Sequence, residues 1–401
     1  MQRVPVVLVC CGEPKKSMGW FHLTQLLASD HVAVNNVIEP WFLGKGRNSP
    51  GSAAFITFQR EHPELSFLES VEELPFSSGP LLALIAGRTH DAPELFASIV
   101  AKGATHVYIE KPGAQSAVQL EEMIKLATRQ KVAVVVGYNK NVARYTLDCA
   151  AAIQRHQGIA PTVTLQHCNA FKPGKELLDF MCGPGREGMV HNMCCHELAL
   201  MTTIFGVNQQ SVQRVVLDAD SKLVDLGDGS SDWEKLGFTL ELDPPANISA
   251  AISAGGFICA DQHTESTHTL SQIRCVADRC GGNWSALLVD FGDYQQTFRL
   301  PDATHEAWVA NEQRKDPNIR SYFLQQAPDY QRVKNDFVRH IAAGKPGVPA
   351  GVVDLHGALR TLQLADMLAT GVMCCAESGN SGGPWTWSPS TGPQHKKARH
   401  E

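Results

Sequence analysis

Over its first third the chain alternates between two hydrophobic periods, and that alternation leaves few folds open. Continuous apolar runs of strand length occur at Val4–Cys11, Val32–Ile38, Leu81–Ala86, Val107–Ile109 and Val132–Val136. Between them Gly19–Ala28, Ser52–Glu61, Ala92–Ala101 and Ser116–Arg129 carry apolar residues at helical spacing. A strand that is apolar on both faces has to be covered on both, as in a parallel sheet flanked by helices. The pattern predicts a doubly wound α/β domain over residues 1–137.

The pattern then changes. Asn141–His156 has helical spacing, Thr162–Asn169 reads as a strand, and a Gly/Pro-rich stretch precedes an apolar helix from about Met189 to Phe205. Polar alternation follows in Val212–Leu217, Leu236–Leu242, Ile248–Ala254, Ser271–Ala277 and Ala286–Asp290, the mark of an antiparallel sheet with one solvated face. Helical patterns at Tyr330–Ala343 and Val353–Leu368 close the chain. We expect an α+β domain with a large, mostly antiparallel sheet over 138–350, a closing helix within 351–375, and a Ser/Gly/Pro-rich tail, 376–401, without fixed structure. The second-domain strands hold more apolar residues than one buried face needs, Ile248–Ala254 for example. A homo-oligomer built on the outer face of that sheet is therefore expected.

Composition excludes several function classes. The formal net charge is −6, so the basic patch of a nucleic-acid binder is not expected. No apolar run approaches the ~20 residues that span a bilayer. Val4–Cys10 reads as a strand rather than a signal peptide, which makes a cytoplasmic location the expectation. Twelve cysteines are scattered through the chain, with adjacent pairs at 10–11, 194–195 and 374–375. They are expected as reduced thiols. Cys182, His191, Cys194, Cys195 and His196 match no zinc spacing, so no metal is expected.

A dinucleotide site of the Rossmann kind needs a strand, a glycine turn, a helix whose N-terminus faces the pyrophosphate, and an acid ending the second strand. Gly12 ends the first strand, Gly19 opens the helix and Glu39 ends the second strand, 20 residues beyond Gly19. The intervening Glu-Pro-Lys-Lys-Ser-Met is longer than the usual turn, and Cys10 stands where a first glycine would help. Glu39 favours NAD over NADP by repelling a 2′-phosphate, while Lys45 and Arg47 lie within reach of one. The cofactor is expected to be NAD or NADP, with NAD slightly favoured. Trp20, Trp41 and Phe42 suit either core packing or the edge of an adenine pocket.

A second group of residues carries a resemblance. His90 follows the third apolar run, Glu110-Lys111-Pro112 ends the fourth, and Gly137-Tyr138-Asn139 follows the fifth. Later comes Gly188-Met-Val-His-Asn192-Met-Cys-Cys-His196-Glu-Leu. With the closing helices, these segments resemble the glucose–fructose oxidoreductase, inositol dehydrogenase and rhizopine catabolism family over about residues 4–370. Asn192 stands where that family usually has aspartate. The resemblance implies a nicotinamide cofactor near Gly12, Gly19, Glu39, His90, Glu110, Lys111 and Asn139. It also implies an active site with Lys111, His196 and Asn192.

The chemistry matches those residue types. Oxidising a secondary alcohol moves a hydride to a nicotinamide and a proton to a base; an imidazole, ordinarily titrating near ~6.5, can take that proton. A lysine beside the developing alkoxide stabilises its charge. Asn192 and His196 are four apart and on a regular helix share a face, where Asn can orient a hydroxyl but cannot take a proton. Two functions stay open. One is an NAD(P)-dependent dehydrogenase or reductase acting on a sugar, polyol or related small molecule; the retained Lys111 and His196 favour it. The other is a non-catalytic dinucleotide-binding sensor or regulator on the same fold, favoured by Asn192 and the altered glycine loop.

Overall fold

The computed structural model describes residues 3–156, 160–183, 187–248, 269–378 and 386–389. Its first stretch alternates Val4–Val9 (β1), Met18–Leu27 (α1), Val32–Ile38 (β2), Ser52–Glu61 (α2), Ser66–Leu68 (β3), Leu82–Ile85 (β4), Ala92–Ala101 (α3), His106–Ile109 (β5), Ala117–Gln130 (α4) and Ala133–Val136 (β6). Next come Arg144–Arg155 (α5), Thr162–Cys168 (β7), Lys175–Met181 (α6), Cys195–Thr203 (α7), Val212–Leu217 (β8), Lys222–Asp225 (β9), Ser231–Asn247 (β10), Thr269–Asp278 (β11), Trp284–Asp290 (β12) and Gln295–Leu300 (β13). The chain continues through Ala303–Lys315 (α8), Ser321–Ala342 (α9), Val353–Asp354 (β14), Leu355–Ser378 (α10) and Thr386–Trp387 (β15).

Two compact units result, one drawn from 1–144 and 300–359, the other from 145–299 and 360–401. In the first, among the described residues, seven strands lie in the order β14-β6-β5-β4-β1-β2-β3. Strands β1 to β6 pair in parallel, and β14 adds antiparallel to β6. Val7, Leu8 and Val9 are fully buried, as a strand covered on both faces requires. The order reverses direction between β1 and β4, the switch point outside which ligands bind in such sheets.

The sequence reading kept 138–350 as one stretch; the contacts instead return 300–359 to the first sheet. The reason is the apolar face of α9. Phe323 stacks on Phe21 of α1 with ring centroids 5.2 Å apart. Tyr330, Val333, Phe337 and Val338 join the same core. Helical spacing predicted a start at Tyr330, after Pro328, yet α9 begins at Ser321 and runs through the proline. A mid-helix proline costs about 3 kcal/mol, and burying Phe323 in this core offsets it. The Ala327 carbonyl accepts from Gln25 Nε2 at 2.9 Å.

In the second unit the described residues form an eight-stranded sheet in the order β13-β12-β7-β11-β10-β8-β15, with β9 added to β10. Pairing is antiparallel between β10 and each of β8, β9 and β11, and between β12 and β7; β7 and β11 run parallel. Its two faces differ as the alternation predicts. Leu236, Phe238 and Leu240 of β10 are buried, as are Leu217, Val215, Ile273, Cys275 and Ala277 opposite them. On the other face lie ion pairs: Arg274 with Asp218, Arg214 with Glu241 at 2.5 Å, and Lys235 with Asp220 at 2.5 Å. Strand β10 continues past Pro244-Pro245, which sit where the pairing with β11 shifts register, a place where missing N–H donors cost least.

The expected strand Ile248–Ala254 lies outside the described residues beyond its first residue, as does most of the 376–401 tail. Two parts of that tail do have structure, since α10 extends to Ser378 and β15 pairs with β8. The described cysteines are free thiols. Among the described residues no helix is long and apolar enough to cross a membrane.

Candidate functional site

In the first unit, the turn after β1 holds left-handed backbone at Cys10, Gly12 and Lys15, only one of them a glycine. Gly12 has φ +73 and Cys10 has φ +67, so the cysteine adopts the left-handed conformation that a glycine usually supplies. Gly19 leaves no space for a side chain: a Cβ there would lie 2.0 Å from the Cys10 carbonyl oxygen. Helix α1 can thus approach β1 closely, and its first turn carries no acidic residue. A helix N-terminus free of carboxylates, set at the end of β1, fits a pyrophosphate. Lys15 and Lys16 are paired with Asp316 and Glu13, each at 2.6 Å.

The other expected cofactor residues are placed less uniformly. Glu39 is buried, and its carboxylate accepts from the N–H of Gly12 at 2.6 Å, Trp41 at 3.1 Å and Phe42 at 3.2 Å. It therefore ties the glycine turn to the wide helical turn Trp41–Lys45. Arg47 pairs with Glu69 at 3.0 Å. Trp41 is 52% exposed, while Trp20 and Phe42 are in the core. His90 lies between β4 and α3, half exposed, 3.2 Å from the Asp91 carboxylate. Asn139 is fully buried and donates to Gln326 Oε1 of α9 at 3.0 Å.

Glu110 and Lys111 directly follow β5, with a cis peptide between Lys111 and Pro112. The Glu110 carboxylate lies 2.8 Å from His22 Nε2 and accepts from the Tyr108 hydroxyl at 3.0 Å. Burial alone would raise its pKa. The His22 and Tyr108 hydrogen bonds and the charge of Lys111 instead hold it below the ordinary carboxylate value. His22 and its buried partner Lys334 were missed at the sequence level. The only hint was position: His22 follows Gly19 by three residues, one turn into a helix whose other inward residues are apolar.

In the second unit, the expected single helix from Met189 to Phe205 is divided. Met189–Met193 form one wide turn, and α7 begins only at Cys195. The i to i+4 relation between Asn192 and His196 therefore crosses a break. Asn192 is half-buried with its amide 3.5 Å from Glu187; His196 is buried. His196 lies edge-on to His167 of β7, ring centroids 6.5 Å apart. His167 Nδ1 is 3.0 Å from the Met193 carbonyl and 3.1 Å from the Glu197 carboxylate. His191 turns away to Asp366 at 2.8 Å. The start of the turn is anchored from the sheet. Asp232 accepts from the Met189 N–H at 2.9 Å and from the buried Arg279 guanidinium at 2.8 Å. These anchors, Asp232, Arg279, His167 and Glu197, come from two strands, the turn after a third and a helix, and left no local trace beyond a charged residue in an apolar run.

Comparison with known proteins adds to this geometry. Residues 45–138, which include Glu110 and Lys111, match the model of an oxidoreductase family with an NAD-binding Rossmann fold. No curated protein matches the sequence. Solved structures share the fold over nearly the whole chain. Scyllo-inositol dehydrogenase from Lactobacillus casei with bound NAD(H) and scyllo-inositol has a TM-score of 0.66 at 10% identity, covering 92% of this chain and 96% of that one. A putative myo-inositol dehydrogenase from Sinorhizobium meliloti 1021 gives 0.60 at 16%, covering 96% and 99%. UDP-N-acetylglucosamine 3-dehydrogenase from Acidithiobacillus ferrooxidans gives 0.57 at 14%, covering 92% and 98%.

Proposed function

We propose that this chain, whose residues 45–138 match an oxidoreductase family with an NAD-binding Rossmann fold, is a dehydrogenase or reductase. It would transfer a hydride between a nicotinamide dinucleotide and a secondary alcohol or carbonyl of a sugar, polyol or related small molecule. The observation that carries this reading is Lys111, at the C-terminal end of a parallel strand within the matched segment and next to a carboxylate held ionised from behind. Bound at the β1 turn, the dinucleotide supplies the hydride acceptor or donor. The turn at Gly12, the N-terminus of α1 and Gly19 would hold its pyrophosphate. NAD is slightly favoured over NADP.

The protein's own groups have separate tasks. Lys111 stabilises the negative charge that develops on the substrate oxygen. His196 takes the hydroxyl proton during oxidation and returns it during reduction, and Asn192 orients the hydroxyl without exchanging a proton. General acid–base groups contribute ~10²–10⁴-fold to rate. His196→Ala should lower turnover by about that factor and leave dinucleotide affinity nearly unchanged, which a steady-state assay paired with fluorescence titration measures. Full activity of His196→Ala would end this assignment. Calorimetry with both dinucleotides at millimolar concentration tests the cofactor; no binding would end the reading.

One observation favours a second reading, a dinucleotide-binding sensor without turnover. His196 is only 2% exposed and lies beside His167 and Glu197, the surroundings of a histidine packed for structure. Dinucleotide binding with no turnover across a sugar and polyol screen is its signature.

A further inference from the structure

Behind Lys111 the hydrogen bonds of Glu110 continue inward. His22 Nδ1 lies 2.8 Å from Lys334 Nζ, which also donates to Gln25 Oε1 at 2.6 Å. His22 has no exposed surface, and Lys334 is 3% exposed. We propose that His22 and Lys334 are positioning residues for the Lys111 site, holding Glu110 fixed and ionised behind that lysine through a single allowed imidazole tautomer. This rests on the oxidoreductase reading for the importance of Lys111, but the line itself is a property of the apoprotein.

The tautomer follows from counting donors and acceptors. A lysine ammonium has only donors, so His22 Nδ1 has to accept and the ring proton has to sit on Nε2. That proton points at Glu110 Oε1, which also receives the Tyr108 hydroxyl. A carboxylate oxygen accepting from two donors is favoured in its ionised form. The space is kept open by Gly137, since a Cβ there would lie 2.6 Å from the Tyr108 oxygen and 2.8 Å from Glu110 Oε1.

The charges agree with this order. Burial, then the neighbouring ammonium, pushes His22 down to about 4, so the ring is neutral at physiological pH. Burial pulls Lys334 down to about 7 against the attraction of Glu110. The groups facing the pair are Gln25 from α1, Tyr108, Glu110 and Lys111 at the end of β5, and from α9 itself Tyr322 and Tyr330, whose ring lies 5.7 Å from Lys334 Nζ. As pH rises through about 7, Lys334 loses its proton and the Lys334–Glu110 pair passes from neutral to singly negative. A nicotinamide ring near Lys111 would sense that change, because only its oxidised form is cationic. Preference for NAD⁺ over NADH should rise with pH.

The test uses the full chain. Imidazole ¹⁵N spectra of the apoprotein between pH 5 and 9 should show His22 as the Nε2–H tautomer, with a step near pH 7 that Lys334→Met removes. Fluorescence titrations should give an NAD⁺-to-NADH affinity ratio that rises ~3- to 10-fold from pH 6 to pH 8, the scale of one charge at an intermediate dielectric. In Lys334→Met the ratio should be flat. Lys334→Arg, which keeps the charge at every pH, should hold it at the low-pH value. Lys334→Gln replaces methionine if that variant does not fold. An Nδ1–H tautomer, protonation of His22 near 6.5, or an unchanged pH profile in the variants would overturn the proposal. If neither dinucleotide binds while the tautomer and step are present, the oxidoreductase reading fails and the line stands.

Discussion

Gly19 shows how little of a binding turn depends on its consensus letters. The loop has lost one glycine and gained length, yet Cys10 adopts the left-handed backbone and Gly19 keeps the close approach of helix to strand. Because the obstructing atom is a backbone oxygen, Gly19→Ala has no easy relaxation. It should lower unfolding stability by about 2–4 kcal/mol in a denaturant melt, the upper range for overpacking, and weaken dinucleotide binding in calorimetry. Lys334 gives a pH signature. Its folded pKa of about 7 lies below the ordinary lysine value, so the unfolded chain binds more protons between about 7 and ~10.5. Stability should therefore rise with pH across that window and level off below it. Urea midpoints of the wild type and Lys334→Met, compared at pH 7 and pH 9, check the slope; an equal slope in both would refute it. At this scale spacing put Glu39, Glu110 and Lys111 just past strand ends, Gly12 in the turn after β1 and Gly19 in the first turn of α1, which is where they lie. It hid Lys334, which meets His22 across 312 residues.

Among the elements, legibility followed length and amphipathicity. Strands β1, β2, β4, β5 and β6 and helices α1 to α4 appear within two residues of the apolar runs, because burial on both faces writes itself into composition. The three-residue strand β3 is too short to show a period, and α8 buries little beyond Val309. The start of α9 was hidden by Pro328, a local signal overruled by core packing. In the helix expected from Met189 to Phe205 apolar residues run on both sides of Cys194, so its pattern held no information about the break before Cys195. Asp232, paired with Arg279, holds the Met189 N–H at the start of the wide turn that precedes it. Removing one partner of a buried ion pair costs about 3–5 kcal/mol, so Asp232→Ala should destabilise the fold by about that much. It should also slow turnover by displacing Asn192 and His196. Calorimetric melting and a kcat measurement check both, and an unchanged melt would refute the anchor.

For the whole molecule, the class of each sheet could be read from whether strands are apolar continuously or alternately; which unit each closing helix joins could not. We expect a homo-oligomer, a dimer or tetramer, on the outer face of the eight-stranded sheet. The described part of that face bears ion pairs rather than the apolar residues expected of it. Association through such a surface is screened by salt. Light scattering at micromolar concentration should show an oligomer whose mass falls as salt is raised, and a monomer at low salt would refute the interface.

The return of α9 to the first sheet also sets a schedule for the ribosome. Phe21 and the inward face of α1 are made early, but their partners Phe323, Tyr330 and Phe337 come some three hundred residues later. Domains usually fold as they emerge, N-terminal first; this one has to wait with an apolar surface open until those residues have been made. A fragment of residues 1–144 should therefore aggregate or bind chaperones. Adding residues 300–359 as a separate peptide should restore a cooperative melt.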